Sequence, residues 1–309
     1  MNNTKCLFLF DTSSHFNRSY RGMKDRLSDK DRDEDIPSWA VGSALRMVYR
    51  EMAEAINGGL PCTHVLCVMD HEGENFRHRM YQEYKANRPP KDDLFYQQKT
   101  LLEEAVKYTK MPYVKVPDVE SDDVIGTVAT VCSSLGIKVV IFTKDKDLYQ
   151  LVDDNVSIFI PSETKWVSGR SEIVKNFRVL DREGVKSEKG VYPEHIRDFL
   201  TLDGDVADNI IGVKGAGSKS IPQILEIASL DDLIENPDIL LSSNIRTRKV
   251  IVDYINNNKD KILLMRDVAT LKVDVHVGQN FRDWRKPMDG LSVGKAILKA
   301  KNSTRIKSV

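Results

Sequence analysis

Three short apolar runs in this chain break off at an aspartate: CLFLF at Asp11, THVLCVM at Asp70 and KVVIFTK at Asp145, with Asp147 two residues further on. A fourth acidic group, Glu120, Asp122 and Asp123, crowds the start of the helical pattern ESDDVIGTVATVCSSLG. Any one strand-terminal aspartate reads as a helix or turn cap. Their joint occurrence points to one acidic crevice, because ligands of parallel sheets gather at the carboxyl ends of the strands. Unpaired carboxylates about 4 Å apart repel by roughly 1 kcal/mol in water and several-fold more at an effective dielectric near 20, so such a set requires cations. Mg²⁺ is usually held by one or two carboxylates together with waters and substrate phosphates, so a set of this size suits two ions better than one. Two ions side by side suit in-line chemistry on a phosphodiester.

Two further stretches bear on phosphate chemistry. The segment GVKGAGSK, Gly212 to Lys219, carries Gly212, Gly215 and Gly217 for a tight turn whose backbone N–H groups can face a phosphate, with Lys214 and Lys219 adding charge. Alone it reads as an ordinary helix connection; the preceding GDVADN raises its value, since Asp205 and Asp208 stand three apart as on one helical face. Between Phe76 and Arg88, the cations Arg77, Arg79, Lys85 and Arg88 interleave with Tyr81 and Tyr84. That pattern suits a single strand passing with phosphates on the cations and bases on the rings, although a solvated amphipathic helix has the same composition. The six histidines show no ligand spacing, and Trp39, Trp166 and Trp284 read as packing residues.

The elements that must position these groups follow from periodicity. Apolar, β-branched runs at 6–10, 63–69, 138–143 and 156–160 read as buried, mainly parallel strands, with a hairpin around Trp166. Helical patterns run from Ser38 to about Ile56, from Asp92 to Thr109 and through 120–135, where Gly136 closes the helix, and a short helix is expected at Asp147–Val152. The charged stretch REGVKSEKG is the expected boundary between an α/β core at 1–185 and a helical lobe at 186–309, whose last long helix runs from Thr247 to Met265. The basic segment from Lys295 to Lys307 reads as a loosely ordered tail, and the charged loop at 24–35 as solvated.

Composition sets the bounds. A chain of 309 residues that is 41% hydrophobic, 30% charged and 7% aromatic can bury a core without staples, and its four cysteines form no CxxC pair, as expected of reduced thiols. No run approaches the 18 apolar residues of a membrane span, so a cytoplasmic protein is expected. Formal net charge is zero, yet setting aside the nine acids assigned to the crevice leaves nine surplus positive charges elsewhere. That is compatible with a polyanionic substrate.

Taken together, DTSSHFNRSYRG, MDHEGENFRHRMYQEYKANRPP, VESDDVIGTVA, FTKDKDLYQLV and TLDGDVADNIIGVKGAGSK occur in the order and spacing of the 5′ nuclease family, and KDKILLMRDVATLKVDVHV extends the resemblance to about residue 277. The chain therefore resembles the 5′–3′ exonuclease domain of bacterial DNA polymerase I, phage 5′ exonucleases and flap endonucleases, in a free-standing phage-type form. The resemblance implies a PIN-like α/β core with a mainly parallel central sheet flanked by helices, a helical arch at about 76–100, and a helix-hairpin-helix at 205–225. It implies a Mg²⁺-dependent nuclease acting on branched or nicked duplex DNA with a 5′ end or flap, with RNA–DNA hybrid among its substrates and Mn²⁺ able to substitute.

Carried over by motif, Asp11, Asp70, Glu120 and Asp122 surround the first ion with Asp123 nearby, and Asp145, Asp147, Asp205 and Asp208 surround the second. By the same resemblance, Arg77 and Lys85 are expected to contact the scissile phosphate, and GVKGAGSK to grip the duplex with K⁺ on its backbone carbonyls. Replication proteins are expected at the basic tail, with a monomer in a bacterial or phage-infected cell. Three departures stand out. The aromatic residue that the family places six positions after its first aspartate is Asn17, so Phe16 or Tyr20 is expected to stack the terminal base. Pro222 delays the helix after the hairpin, and the loop 24–35 has no counterpart. Two alternatives are a different DxD phosphate enzyme, of topoisomerase-primase or phosphatase type, and a non-catalytic DNA-binding module.

Overall fold

A computed structural model describes residues 5–24, 37–167, 170–287 and 290–307. The charged loop expected at 24–35 lies outside the described residues apart from Lys24.

The central sheet has six strands: β1 Cys6–Asp11, β2 His64–Met69, β3 Tyr113–Lys115, β4 Lys138–Phe142, β5 Val156–Ile160 and β8 Arg178–Leu180, in the order β3-β2-β1-β4-β5-β8. The first five are parallel and only β8 runs antiparallel, against β5. A separate hairpin pairs β6, Glu163–Val167, with β7, Arg170–Lys175.

Every residue of β1 and β2 is buried, as expected of central strands covered on both faces. Alternation along β1 sends Leu7 and Leu9 into one core and Phe8 and Phe10 into the other. Phe8, Phe10, Phe142 and Phe159 stack across neighbouring strands on the second face. Helices α1 Thr12–Lys24, α2 Trp39–Asn57 and α4 Asp93–Thr109 cover that face, while α5 Ser121–Ser134 covers the other. Between them lies a short α3, Phe76–Met80, followed by turns up to Asn87. Strand order reverses at β1, which sends one connection to β2 and later receives β4 on its other edge. The carboxyl ends of these three strands form the switch point at which such sheets bind ligands.

The C-terminal half is helical: α6 Arg182–Lys189, α7 Ile196–Asp203, α8 Ile221–Ile227, α9 Leu230–Glu235, α10 Arg248–Asn257, α11 Lys259–Ala269 and α12 Val293–Lys307. Three expectations are corrected here, for the helix 247–265, for GDVADN and for the basic tail. REGVKSEKG, the expected boundary, forms α6, capped where Asp181 accepts from Gly184 N at 2.8 Å and ended by Gly190 at φ 79. One apolar cluster also runs without a seam from Leu7 of β1 to Ile251 and Met265. The expected helix 247–265 breaks at Asn258 (φ −138) into α10 and α11. GDVADN is a turn closed by an Asp205–Ile210 bridge rather than a helical face. The basic tail is the ordered helix α12, which buries Ala296 and Ala300 against α4 and α2.

Pro222 stands in the first turn of α8, where a missing N–H costs nothing, and Gly190 gives it room. Among the described residues no helix is long and apolar enough to cross a membrane.

Candidate metal centre and cleft

The switch point gathers the acids. Register sets Phe10 of β1 beside Phe142 of β4, so Asp11 lies next to Thr143, whose hydroxyl donates to Asp11 Oδ2 at 2.9 Å. Oδ1 of Asp11 accepts from Ser14 N at 2.9 Å. Directly beyond β2, Asp70 accepts from Ser121 N at 2.8 Å and so caps α5, while its own N–H donates to Ser13 Oγ at 2.7 Å. Glu120, the residue before α5, takes Lys85 Nζ at 2.6 Å and Asn75 Nδ2 at 3.1 Å on one oxygen, and Tyr84 OH at 2.9 Å on the other. Beyond β4, Asp145 Oδ1 accepts from Asp147 N at 3.0 Å, which sets both carboxylates of the DxD on one turn. Asp205 pairs with Lys146 at 3.0 Å, and Asp208 accepts from Tyr84 OH at 3.1 Å and from Arg88. Tyr84 thus bridges Glu120 and Asp208, one acid from each side of the centre.

Electrostatics report the same convergence. Burial, followed by the charges of Asp145, Asp11, Asp70 and Glu120, pushes Asp122 well above the usual carboxylate range. Burial together with Asp70 and Asp145 raises Asp11 to about 6, and burial together with Asp145, Asp208 and Asp205 raises Asp147 to about 8. Glu120 goes the other way: burial opposes ionisation, but Lys85 and Arg77 hold it down to about 2. Asp205 is likewise held low by Lys146 against the effect of burial.

Among the described residues no three of these carboxylates converge as ligands of a shared ion. Their oxygens instead meet Thr143, Ser121 N, Lys85 and Lys146. The donor set nevertheless fits hard divalent ions. It is all oxygen, several members are short of countercharge, and Asp147 Oδ1 is buried with no hydrogen-bond partner.

Two expected site residues lie elsewhere. Asp123, although adjacent to Asp122, is fully buried and binds both terminal nitrogens of Arg77 at 2.7 Å. Arg77 also donates to Val268 O and Thr270 O, each at 2.9 Å, and Asp123 accepts from Lys272 N at 2.9 Å. The pair ties the start of α5 to the segment after α11, so Asp123 is no ligand and Arg77 faces no phosphate. Consecutive helical residues point about 100° apart, which is why one aspartate meets the cleft and its neighbour the interior.

The basic, aromatic stretch is also reordered. Tyr84 is buried and spends its hydroxyl on acids, Tyr81 packs against the core, and Arg79 pairs with Asp118 at the surface. Phe16 and Tyr20, expected to stack a base in place of Asn17, are buried against Phe95 and Trp39. Lys85 and Arg88 remain in the cleft. In GVKGAGSK, Val213 and Ala216 anchor the turn while Lys214, Gly215, Gly217 and Lys219 are exposed and Gly212 is half-buried. Gly215 has φ +88, and Gly212 lies so close to Asp203 that a Cβ would stand 2.4 Å from its carbonyl oxygen.

A cavity of about 1030 Å³ holds Asp11, Asp70, Glu120, Asp122 and Asp145, with Arg18, Arg21, Lys85, Arg88 and Lys91 also on its walls. Thr143, Ser13, Ser121 and Lys146 were not anticipated. Of these only Lys146, between the two aspartates of DKD, carried a signal in the sequence.

The family model described as 5′–3′ exonuclease, N-terminal resolvase-like domain, matches residues 6–190, and that described as 5′–3′ exonuclease, C-terminal SAM fold, matches 191–289. The chain belongs to the 5′–3′ exonuclease family. It is 30% identical over 220 residues to a 5′–3′ exonuclease of Buchnera aphidicola, covering 71% of this chain and 72% of that one. It is 33% identical over 280 residues to DNA polymerase I of Pseudomonas aeruginosa, covering 88% of this chain but only 28% of that protein. The chain thus spans 24–30% of the length of these polymerase relatives. Among solved structures, a bacteriophage T5 flap endonuclease in a pseudo-enzyme–product complex with DNA and metal ions shares the fold with a TM-score of 0.59 and 17% identity, over 96% of this chain and 98% of that one.

Proposed function

We propose that this chain is a structure-specific 5′ nuclease, a 5′–3′ exonuclease and flap endonuclease that hydrolyses phosphodiester bonds of branched or nicked duplex DNA and of RNA–DNA hybrids. The observation that carries the proposal is the convergence of Asp11, Asp70, Asp122 and Asp145 from separate strand and helix ends on one cleft, with Asp147 on the same turn as Asp145; burial and mutual repulsion hold Asp11, Asp122, Asp145 and Asp147 above the usual carboxylate range. A pocket this repulsive is costly to keep unless cations fill it.

Asp11, Asp70, Glu120 and Asp122 would hold one divalent ion, and Asp145, Asp147, Asp205 and Asp208 the second. The ions, Mg²⁺ with Mn²⁺ as substitute, would supply activation of water and stabilisation of charge on the phosphate. The chain's own residues do the rest. Thr143, Ser14 N and Ser121 N aim the carboxylates of Asp11 and Asp70 before any ion arrives. Lys85 and Arg88, on the turns after α3, place positive charge beside the acids, where a phosphate can exchange for Glu120 and Asp208 as their partner. The exposed turn Lys214–Lys219 offers amides and cations to the duplex, with its carbonyls available to K⁺.

The test is cleavage of a 5′-flap duplex in Mg²⁺. Asp145→Asn and Asp122→Asn should each slow hydrolysis by orders of magnitude while DNA binding survives. Parental rates in either variant would refute the assignment.

A further inference from the structure

Among the described phenylalanine, tyrosine and tryptophan side chains, Tyr96 alone is exposed, at 46%. It stands in the first turn of α4. With Phe95, Lys99, Leu102 and Glu103 it forms the face of that helix lining the same cavity as the acids. Its neighbours Phe95 and Gln98 are buried. A lone tyrosine on a helix surface is commonplace. What separates this one is its position: the other described phenylalanine, tyrosine and tryptophan rings are at least partly withdrawn from solvent, and this ring lines the cleft.

The other rings near the cleft are already committed. Phe16 packs on Phe95 at 5.2 Å and Tyr20 stacks on Trp39 at 5.0 Å, so neither offers a free face. Phe95 meets Tyr96 edge-on at 5.5 Å and 90°, which steadies the ring while leaving it open. Arg21, Arg88 and Lys91 share the cavity wall. Cations that track a backbone beside one open ring are the two components of a single-strand site.

We propose that Tyr96 is the platform on which a base of the single-stranded 5′ arm stacks, its phosphates running over Arg21, Arg88 and Lys91. The inference rests on the nuclease reading and names the part of the substrate that this wall receives. Asn17, across the cavity on α1, ties its side chain to Ser13 O at 2.9 Å and leaves the stacking to α4.

The experiment measures binding of a fluorescent 5′-flap duplex by anisotropy, with Ca²⁺ in place of Mg²⁺, for the parent, Tyr96→Ala and Tyr96→Phe. Tyr96→Ala should weaken binding by about 5- to 150-fold, as expected for losing one base–aromatic stack, and Tyr96→Phe should restore it. Removing one base from the arm, leaving its sugar and phosphate, should weaken the parent similarly at one position yet leave Tyr96→Ala unchanged. Equal affinity of parent and Tyr96→Ala would overturn the proposal. So would an abasic arm that weakens Tyr96→Ala as much as it weakens the parent, since the ring and the base would then act independently. Flap cleavage in Mg²⁺ is scored separately: a parent that binds but never cuts would sink the nuclease reading and leave the platform standing.

Discussion

Asp122 and Asp123 are neighbours of one residue type, and their removal should have opposite consequences. Asp123 accepts both terminal nitrogens of Arg77 at 2.7 Å, with Asp123 fully buried and Arg77 only 2% exposed. Asp123→Ala leaves that guanidinium buried with two backbone carbonyls and Glu120, 3.6 Å away, as its remaining partners. Breaking such a pair typically costs about 3–5 kcal/mol, which corresponds to a fall in unfolding midpoint of roughly 6–20 °C. Asp122 has the reverse balance, because burial and four neighbouring carboxylates oppose its charge. Asp122→Asn should therefore leave the metal-free midpoint unchanged or higher. The assay is thermal unfolding of both variants and the parent at pH 7.5, first with EDTA and then with Mg²⁺. The parent should gain stability from Mg²⁺, and Asp122→Asn should gain less. An Asp123→Ala protein that melts with the parent, or an Asp122→Asn protein that melts as low as Asp123→Ala, would refute the reasoning.

Three further outcomes follow from the same geometry. In EDTA the unfolding midpoint should fall as pH rises from about 4 to 8: Asp11 at about 6 and Asp147 at about 8 stand above their usual 3.8, so the native state binds more protons than the unfolded chain across that window, and a flat or rising profile would contradict it. Lys85→Met frees Glu120 of its 2.6 Å partner, so calorimetry should show tighter Mg²⁺ binding without DNA, while flap cleavage slows by about 10²-fold or more for want of the cation at the phosphate. Gly212→Ala would drive a methyl group to 2.4 Å from the Asp203 carbonyl oxygen, so duplex affinity and the unfolding midpoint should both fall, with gel-shift and calorimetric values equal to the parent's as the contrary result.

Much of the centre was readable in one dimension because parallel strands at the middle of a sheet must be apolar throughout, and their first charged residue marks the end where ligands bind. Asp11 and Asp70 were legible on that ground, Asp145 as the acid next to the first charge, Lys144, and Glu120 and Asp122 as acids at a helix start. Periodicity also placed α2, α4 and α5 within a residue or two of their observed ends. It failed where helical character came from docking. Residues 295–307 carry few apolar positions, yet Ala296 and Ala300, with Val293 and Ile297 beside them, seat a helix whose partner surface on α4 and α2 is invisible in local sequence. Asn258, with no proline or glycine beside it, gave no sign that it would divide α10 from α11.

The amino-acid sequence by itself determined which residue types stand at the ends of the strands, and hence the acidic chemistry and the kind of sheet that delivers it. Tertiary structure alone decided that Asp123 and Arg77 turn inward to each other, that Tyr84 gives its hydroxyl to Glu120 and Asp208, and that Tyr96 is left facing the cleft. The physical reason is that spacing along the chain sets where a side chain starts, whereas its direction is chosen by whichever distant charge or surface reaches it first.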